Sequence, residues 1–523
     1  MLDFSIPAFG ETDFLQSMEN PRTQITKICA ADGELYAAYG RLLRENGFAA
    51  KEGRRTDTHL YSAFRKESCG IFLNFYPEIG ELYIVCEEDC AYFTYTDTSR
   101  EASVVPQITQ ITLEDFGMSY AIRLSDGRFV IIDGGREFEP DAERLFRCLK
   151  EGSPYEKPVI AAWIFTHPHT DHFYCFITFA DRYGDQVEIE KFLFHFPEAD
   201  DLAHYPKLTA QDPRFDHDTQ PAHYIGMMWE RIARSGAPAY TAHTGQTYRI
   251  GDAQCEILAS MDDTILTDSN INAASLVLRM ELAGQVILWA ADSAFSSVKM
   301  AQKHGAHLKA DILQIPHHGF QSGSAEGEIA AYDLIRPHTC LLPVSAYNAF
   351  TVFSTYRAGT QYLMATLPEV QEVIPGTPQR TITLPYTPPV YAKKELEHTF
   401  LAGRDNAGAR TWIFSDLFTG REEDFRFTLL NATNFAAEVQ IELFFESKKQ
   451  QIRYIKAKLE AGALRIVNII GEDVDSESLY FNWLSLKTQG IPENAPFAVR
   501  FMCDVPIVVS HPDHAASYRS SVL

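Results

Sequence analysis

Hydrophobic residues near the start of the chain recur at two different spacings. In ELYAAYGRLLRENGF, apolar residues return every three or four positions from Leu35 to Leu43, and the run stops at Gly47, which is typical of a helix end. Two apolar runs follow, GIFLNFYP and ELYIVCEE, and the residues EIGE between them indicate a turn that joins two strands. Residues 1–105 are therefore predicted to form a small α+β domain, in which no motif points to chemistry.

The last part of the chain alternates with a period of two, as half-buried strands do. In EVQIELFFES, apolar side chains at Val439, Ile441, Leu443 and Phe445 alternate with polar ones, and QQIRYIKAKLEAG and FAVRFMCDVPIVVS behave similarly. Residues 389–523 are predicted to form a small antiparallel β-sandwich. The stretches FTLLNATNFAAEVQIELFF and VPIVVSHPDH resemble the small β-sandwich transducer proteins of microbial sensory rhodopsins.

Two proline-bearing stretches mark domain boundaries. TSREASVVPQ ends near Pro106, and LPYTPPVYAKKELEH runs from three prolines into a charged segment. They separate a central block, residues 106–388, from the two flanking pieces. A length of 523 residues agrees with about three domains.

The central block contains an apolar run followed by a cluster of metal-binding residue types. The nearly uninterrupted apolar segment 159–165 predicts a strand buried on both faces, and after Thr166 comes His167-Pro168-His169-Thr170-Asp171-His172, within which a helix begins. Three imidazoles and a carboxylate at the mouth of a buried strand are costly to leave unpaired. Imidazole nitrogen and carboxylate oxygen together suit zinc, iron or manganese better than calcium. The turn can send His167 and His169 to one side and Asp171 and His172 to the other, which gives two adjacent subsites.

Further strand ends carry residues of the same kind. YAIRLSDGRFVIIDGG predicts two strands and ends in Asp133-Gly134-Gly135, NAASLVLRMELAGQVILWAADS ends in Asp292, and ADILQIPHHGFQSGS ends a strand in His317-His318-Gly319. Together with HxHxDH, these segments resemble the metallo-β-lactamase-fold hydrolases. Within that family they are most similar to the metallo-β-lactamase-like domain of DNA-uptake channel proteins and phosphorylcholine esterases. The resemblance implies an αββα four-layer sandwich over residues 106–388, with Asp292 as the bridging ligand. It also implies that one of His317 and His318 is a ligand, without saying which.

One ligand position of the family is poorly matched. Two-metal members take a further histidine between HxHxDH and the bridging aspartate, and the candidates here are His195, His204, His217, His223 and His243. We choose His195, because KFLFHFP places it at the end of an apolar strand; if it is instead structural, the second subsite is weaker or completed by water. The family's His-Pro after an Asn is also absent from SAYNAF, residues 345–350, which leaves the substrate open.

The resemblance implies a metal-dependent hydrolase that uses a metal-bound hydroxide on a phosphodiester or related ester, with Asp171 as ligand and proton acceptor. The expected cofactors are two divalent ions, zinc first, with manganese or iron as alternatives. Lactone, thioester and amide substrates stay open. Two further alternatives are a di-iron redox enzyme, although His169 occupies the position of that group's Glu, and a metal-binding sensing or assembly protein without turnover.

Charge and composition narrow the partners. The chain has 46 basic and 70 acidic side chains, a formal charge of −24, which argues against a nucleic-acid wrapper or a binder of anionic membranes and favours a small-molecule substrate. The N-terminal residues lack the basic and apolar regions of a signal peptide, no run of 18 apolar residues occurs, and nine scattered cysteines form no framework. We therefore expect a cytoplasmic protein, with homo-oligomerisation through the C-terminal domain as a further expectation.

Overall fold

The structure is a computed structural model, and it describes residues 14–19, 22–114, 117–197, 221–264, 271–293, 298–320, 325–344, 358–365, 367, 369–377, 379–388, 409–418, 426–431, 433, 436–445, 453–461, 463–468, 496–511 and 518–520. The chain divides into two compact units. The first comprises Met1–Ser345, Tyr356–Leu363 and Gly376–Tyr386; the second comprises Ala346–Thr355, Met364–Pro375 and Thr387–Leu523. The predicted division into three domains at residues 105 and 388 stays a prediction.

A six-stranded antiparallel sheet and one helix form the N-terminal part of the first unit. The strands are β1 (Phe14–Glu19), β2 (Thr23–Ile28), β3 (Ala49–Arg55), β4 (Leu60–Lys66), β5 (Cys69–Tyr76) and β6 (Glu81–Glu87), in the order β1-β2-β6-β5-β4-β3. Helix α1 (Gly33–Glu45) begins where the Asp32 side chain accepts a hydrogen bond from Leu35 N, and it ends just before Gly47, whose φ is +87°. The helix and the two strands predicted from the pattern are confirmed.

Two further sheets form the central part of the first unit. The first has the order β13-β12-β10-β9-β8-β7-β21, with β11 beside β10, and the second follows chain order from β14 to β19. The strands are β7 (Gln107–Gln110), β8 (Ser119–Arg123), β9 (Phe129–Asp133), β10 (Val159–Ile164), β11 (Glu188–Ile189), β12 (Phe192–Phe194), β13 (Ala239–Thr241), β14 (Thr247–Ile250), β15 (Ala253–Ala259), β16 (Val277–Leu282), β17 (Gln285–Trp289), β18 (Ile312–Gln314), β19 (Thr339–Leu342) and β21 (Arg380–Thr383).

Helices accompany these two sheets. They are α2 (Glu139–Gly152), α3 (Thr170–Tyr183), α4 (Pro221–Ser235), α5 (Met261–Thr264), α6 (Val298–His304), α7 (Ala325–Ile335) and α8 (Ala358–Ala365). α2 packs on β8 and α3 on β9, while α6 and α7 pack on each other. The sheets meet through buried aromatic side chains, with the ring centroids of Tyr120 on β8 and Trp289 on β17 4.8 Å apart. The predicted α/β fold class is confirmed.

Parallel pairing places the site-bearing loops together. Strands β9, β10, β12 and β13 are parallel neighbours, as are β17, β18 and β19. The carboxyl ends of parallel strands lie at one edge of their sheet. The residues that follow β9, β10, β12 and β13 therefore share one edge, and those that follow β17, β18 and β19 share another. β10 is buried along its whole length, as its apolar sequence predicts.

The second unit is described by antiparallel strands around one apolar core. They are β22 (Ala409–Phe418), β23 (Arg426–Leu430), β24 (Ala437–Phe445), β25 (Arg453–Leu459), β26 (Leu464–Asn468), β27 (Pro496–Ser510) and β28 (Tyr518–Ser520), and the unit also holds β20 (Glu372–Pro375). The long strand β27 pairs with β22 and β24 over its first part and with β23 over its last residues, so it joins two sheets. This confirms the antiparallel β-sandwich predicted for the C-terminal segment. Within the described part of the whole chain, no helix has the length and hydrophobicity needed to cross a bilayer.

Candidate metal centre

The HxHxDH motif forms the loop between β10 and α3. β10 ends at Ile164 and α3 begins at Thr170, so His167 and His169 lie on the loop and Asp171 and His172 in the first helical turn. Asp133, the last residue of β9, fixes this loop: its Oδ1 accepts a hydrogen bond from Thr166 N at 2.8 Å and its Oδ2 one from Thr166 Oγ1 at 2.7 Å. Asp133 was predicted at a strand end from the sequence but not as a site residue.

Four residues form one ligand set, which we name the Asp171 cluster: Asp171, His172, Asp292 and His318. His318 Nε2 lies 3.2 Å from Asp171 Oδ2, and His172 Nε2 lies 3.3 Å from Asp292 Oδ1 and 3.3 Å from His318 Nε2. Each of the four side chains offers one ligand atom, and these four atoms lie within 4.8 Å of one another. The structure thus brings together residues that are 146 positions apart in the chain.

Hydrogen bonds at Nδ1 of His172 and His318 orient the two rings so that each Nε2 faces the cluster. His172 Nδ1 lies 2.7 Å from Asp133 Oδ2, and His318 Nδ1 lies 3.0 Å from the carbonyl oxygen of Pro343. Since both partners can only accept, each Nδ1 donates, and a neutral ring then points the lone pair of its Nε2 into the cluster. Such a carboxylate or carbonyl on the far nitrogen is the usual support of a metal-binding histidine. Two inward lone pairs and two carboxylates match a divalent cation, so these residues fit the expected metal.

A second ligand set, the His169 cluster, comprises His167, His169 and Asp292. His167 Nε2 lies 3.1 Å from His169 Nδ1 and 3.7 Å from Asp292 Oδ2. Asp292 therefore belongs to both clusters, as expected of a carboxylate that bridges two cations. Its Oδ1 is buried and makes no hydrogen bond to the described residues, which is a costly state for a carboxylate without a cation nearby.

His317 lies apart from its neighbour His318. Its Nε2 is 3.9 Å from Asp292 Oδ2 and 3.2 Å from Asn272 Nδ2, and its side chain is 23 % exposed. The geometry thus brings His318 into the Asp171 cluster and puts His317 at the rim of the His169 cluster. Asn272 was missed as a site residue. The sequence signal that could have found it is its place as the first residue of NAASLVLRMELAGQVILWAADS, the segment that ends in Asp292.

The ionisable groups of the two clusters perturb one another strongly. Burial acts to lower the pKa of His172, but the carboxylates of Asp292, Asp133 and Asp171 raise it well above its usual value. Burial acts in the same way on His318, whose pKa Asp292 and Asp171 raise to about 9. Conversely, burial acts to raise the pKa of Asp292, but the imidazoles around it lower it well below its usual range. Positive charge is therefore strongly favoured between these carboxylates.

The pKa of His167 shifts in the opposite direction from those of His172 and His318. Burial lowers the pKa of this imidazole well below its usual value, and the neighbouring His172 lowers it further. The ring is thus neutral at physiological pH, which is the form that binds metals. At Asp171, burial acts to raise the pKa, but His172 and His318 lower it below its usual range, so the carboxylate is ionised.

Residues with strained backbone dihedral angles lie where strands end and the loops of the site begin. Asp133, Ala291, His317 and His318 all have φ between +50° and +55°, a region that non-glycine residues seldom adopt. Each lies at or next to a residue of the clusters or at their support. Such strain concentrates at functional sites, where the surrounding structure fixes a side chain in a direction that relaxed backbone does not give.

The predicted ligand His195 lies in a third ligand set, the His243 cluster, which comprises His195, His243 and Asp262. His195 Nδ1 is 3.6 Å from Asp262 Oδ1, and His243 Nδ1 is 3.1 Å from the same oxygen. His195 as a ligand of the two clusters that share Asp292 stays a prediction. Of the other candidates, His223 is exposed on α4, and His204, His217 and residues 345–350 lie outside the described residues.

A carboxylate from the N-terminal sheet completes the surroundings of the His243 cluster. Glu87, the last residue of β6, places its Oε2 3.1 Å from His243 Nε2. Burial acts to lower the pKa of His243, but Asp262 and Glu87 raise it to about 10. Burial acts to raise the pKa of both carboxyls, but His243 lowers each to about 2.

The clusters that share Asp292 are open on one side. His167, His172 and His318 are fully buried, whereas His169, Asp171 and His317 are partly exposed. A substrate can therefore reach the site past these three side chains, and the buried histidines can contact it only through whatever they hold. This arrangement suits metal-assisted hydrolysis, in which buried side chains hold the cations and the substrate approaches from the solvent-exposed side.

The match of one segment to a family model agrees with this geometry. Residues 113–248 match the family model of the metallo-beta-lactamase superfamily, a span that contains HxHxDH and ends before Asp292. None of the curated proteins compared with the chain matches it. Similar solved structures include the Anabaena sensory rhodopsin transducer (21 % identity, 20 % of this chain and 82 % of that one, TM-score 0.15) and Thermotoga maritima 1070 (15 %, 22 % and 98 %, TM-score 0.15). The short form of human tRNase Z is 12 % identical, over 45 % of this chain and 90 % of that one, with a TM-score of 0.27. This chain thus contains a domain of the metallo-β-lactamase superfamily.

Proposed function

We propose that the first unit is a metal-dependent hydrolase that cleaves a small phosphodiester or a related ester, with two divalent cations, zinc in the first place. The observation that carries the proposal is the sharing of buried Asp292 between two ligand sets that open to solvent past His169, Asp171 and His317. When bound, divalent cations at such a site act as Lewis acids and lower the pKa of coordinated water towards 7.

The residues of the chain have separate tasks in this proposal. His167, His169, Asp171, His172, Asp292 and His318 hold the cations, with His195 a ligand only in the sequence prediction. Asp133 and the Pro343 carbonyl hold the rings of His172 and His318 so that each Nε2 faces inward. Asp171 is ionised and partly exposed, so its carboxylate is placed to accept a proton at the open side of the site.

The charge of the chain favours a small substrate over a polynucleotide. The chain carries a net charge of −24, which repels polyanions. A phosphodiester is our first choice because of the sequence resemblance; lactone, thioester and amide substrates are the other outcomes of a substrate screen.

The two alternative functions make different demands on the site. A di-iron redox centre of this fold has a carboxylate where His169 lies, and here the His169 ring is 3.1 Å from His167 Nε2. A sensing or assembly protein needs the same metals but no turnover. Hydrolysis is therefore the property to measure.

The test measures bound metal and hydrolysis of bis(p-nitrophenyl) phosphate in the same full-length preparations. We expect close to two zinc equivalents at the sites that share Asp292, and a loss of turnover of about 100-fold or more in Asp171→Asn, since a positioned proton acceptor contributes 10²–10⁴-fold. His223→Ala, an exposed histidine outside all three clusters, is the matched control and keeps full activity. Full turnover in a clean Asp171→Asn preparation refutes the mechanism. A metal-loaded protein that is inactive on phosphodiesters, esters, lactones, thioesters and amides refutes the hydrolase.

Self-association and location are further proposals. We infer that the second unit serves assembly, because an antiparallel sandwich has edge strands that can pair with a second copy, and the described residues of this unit belong to none of the three clusters. Light scattering of the full chain tests this, and a monomeric mass at micromolar concentration overturns it. The cytoplasmic location expected from the sequence is tested by fractionating the cells that make the protein.

A further inference from the structure

The His243 cluster lies one strand away from HxHxDH and is not used by the proposed hydrolysis. His195 follows β12, His243 follows β13, and Asp262 lies in the short helix α5. β12 pairs in parallel with β10 on one side and with β13 on the other. All three side chains are buried, His243 and Asp262 almost completely. We propose that His195, His243 and Asp262 bind a further divalent cation, for which zinc is the best match. This cation has a structural role.

The spacing of the ligand atoms fits such an ion. His243 Nδ1 lies 3.1 Å and His195 Nδ1 lies 3.6 Å from Asp262 Oδ1, and the three side chains offer ligand atoms within 4.8 Å of one another. Two ligand atoms at tetrahedral angles, each about 2.0–2.2 Å from zinc, are about 3.4 Å apart. The observed distances lie on either side of that value. Two imidazoles and one carboxylate are also a donor set that zinc accepts.

The surroundings hold each donor in the orientation that binding needs. Asp262 Oδ2 accepts hydrogen bonds from Thr244 N and Ser260 Oγ, both at 3.1 Å, and lies 2.9 Å from His243 Nδ1. Asp262 Oδ1 lies 3.1 Å from His243 Nδ1 and 3.6 Å from His195 Nδ1, so the carboxylate is held facing both histidines. Glu87 Oε2 takes the far nitrogen of His243, and Glu87 Oε1 is itself held by Thr241 Oγ1 at 2.6 Å. A carboxylate on the far nitrogen is the usual support of a zinc-binding histidine, and it directs Nδ1 towards Asp262.

A proton on His243 between Glu87 and Asp262 is the competing explanation. It accounts for the short contacts of that ring with two carboxylates. It does not account for His195, whose Nδ1 approaches the same Asp262 oxygen at 3.6 Å, too far for a hydrogen bond and suitable for a second ligand of one ion. The cation explains all three side chains together.

The ion would connect two parts of the first unit. Glu87 belongs to the N-terminal sheet, whereas His195 and His243 follow strands of the central sheet. Asn74 Nδ2 also donates to the Thr244 carbonyl at 3.0 Å, so β5 and β6 both contact the loop that carries His243. Metal binding at this place would stabilise the contact between the N-terminal sheet and the domain that contains HxHxDH.

The test counts zinc equivalents in the full-length protein after loading and gel filtration. Since Asp292 serves both other clusters, Asp292→Ala should empty them and retain one equivalent at the His243 cluster. Adding Asp262→Asn or His195→Ala to that variant should remove it, whereas adding His223→Ala should not. In the wild-type background, Asp262→Asn should lose one equivalent and keep phosphodiester turnover. Glu87→Gln should weaken the binding of this ion 10- to 100-fold.

Each outcome decides the proposal. Zinc that is absent from Asp292→Ala, in a preparation that melts cooperatively, overturns it. Loss of turnover together with the equivalent in a folded Asp262→Asn preparation assigns this cluster to the hydrolytic site and also overturns the proposal. If Asp262→Asn does not fold, His195→Ala gives the same count independently. The zinc counts do not depend on the hydrolase proposal, because they measure bound metal; only the turnover comparison uses that proposed activity.

Discussion

Asp133 offers the sharpest test of how the site is held. Its Oδ1 accepts from Thr166 N and its Oδ2 from Thr166 Oγ1 and His172 Nδ1, at 2.7–2.8 Å. Asp133→Asn keeps the size of the side chain but replaces one acceptor by a donor. Because Thr166 N requires the amide oxygen, the new NH₂ group faces His172 Nδ1. The ring must then move its proton to Nε2, which points a donor at the position where a cation is expected.

The magnitude follows from the role of this carboxylate. Removing the group that supports a metal-binding histidine costs 10- to 100-fold in metal affinity or activity, which is about 1.4–2.7 kcal/mol. Zinc dissociation constants, measured by competition with a chromophoric chelator, should rise by that factor, and turnover at limiting zinc should fall in parallel. Thermal stability measured on metal-free protein separates this effect from a general loss of packing.

Asp311→Asn is the matched control for this experiment. Asp311 precedes β18 and its Oδ2 accepts a hydrogen bond from Val286 N at 2.8 Å. Like Asp133, Asp311 lies next to a strand and accepts a hydrogen bond from a backbone N–H group of another segment, but its side chain has no contact with a ligand histidine. An unchanged zinc dissociation constant in Asp133→Asn, or an equal increase in Asp311→Asn, would refute the reasoning.

Three further predictions concern other parts of the chain. A Cβ at Gly117 would lie 2.6 Å from the carbonyl oxygen of Asp171, so Gly117→Ala should lower zinc affinity and turnover at least 10-fold, whereas Gly226→Ala, with open space around it, should leave both unchanged in the same assays. Burial raises the pKa of Asp504 to about 7 from 3.8, so the folded second unit holds this proton more tightly than the unfolded chain does. Its stability should therefore fall as pH rises from about 4 to 7, by about 4 kcal/mol, and Asp504→Asn should remove that fall in hydrogen exchange of β27; a parallel decline in both proteins contradicts this. Asn272→Ala should raise KM more than it lowers kcat, because it frees His317 at the open rim, and a pure loss of zinc would contradict that placement.

Much of the fold could be predicted from local patterns. The helix near residue 40, the buried strand before HxHxDH and the alternating C-terminal strands each depend on contiguous residues, and all are found in the structure. HxHxDH is equally local, because six consecutive residues between a buried strand and a helix place their side chains within one turn. The sequence predicted that Asp292, His317 and His318 lie at strand ends. Only the family resemblance implied that they join HxHxDH in one site.

The roles that depend on strand order were beyond local sequence patterns. His195 ends an apolar strand as the other ligands do, but the parallel register of Phe194 with Thr241 brings it to His243 and Asp262. The choice between His317 and His318 depends on two consecutive left-handed residues that turn one ring inward and leave the other at the rim. Asp133 acts through hydrogen bonds to Thr166 and His172, and Asn272 acts through its contact with His317, and all of these partners are distant in the chain.

The sequence by itself determined which residue types end the strands, and therefore that metal-binding side chains gather at strand edges. Only the tertiary structure decided how they are shared among three clusters. The physical reason is that a strand's neighbours are set by packing between distant segments, whereas periodicity and turn signals report only on residues that are adjacent in the chain.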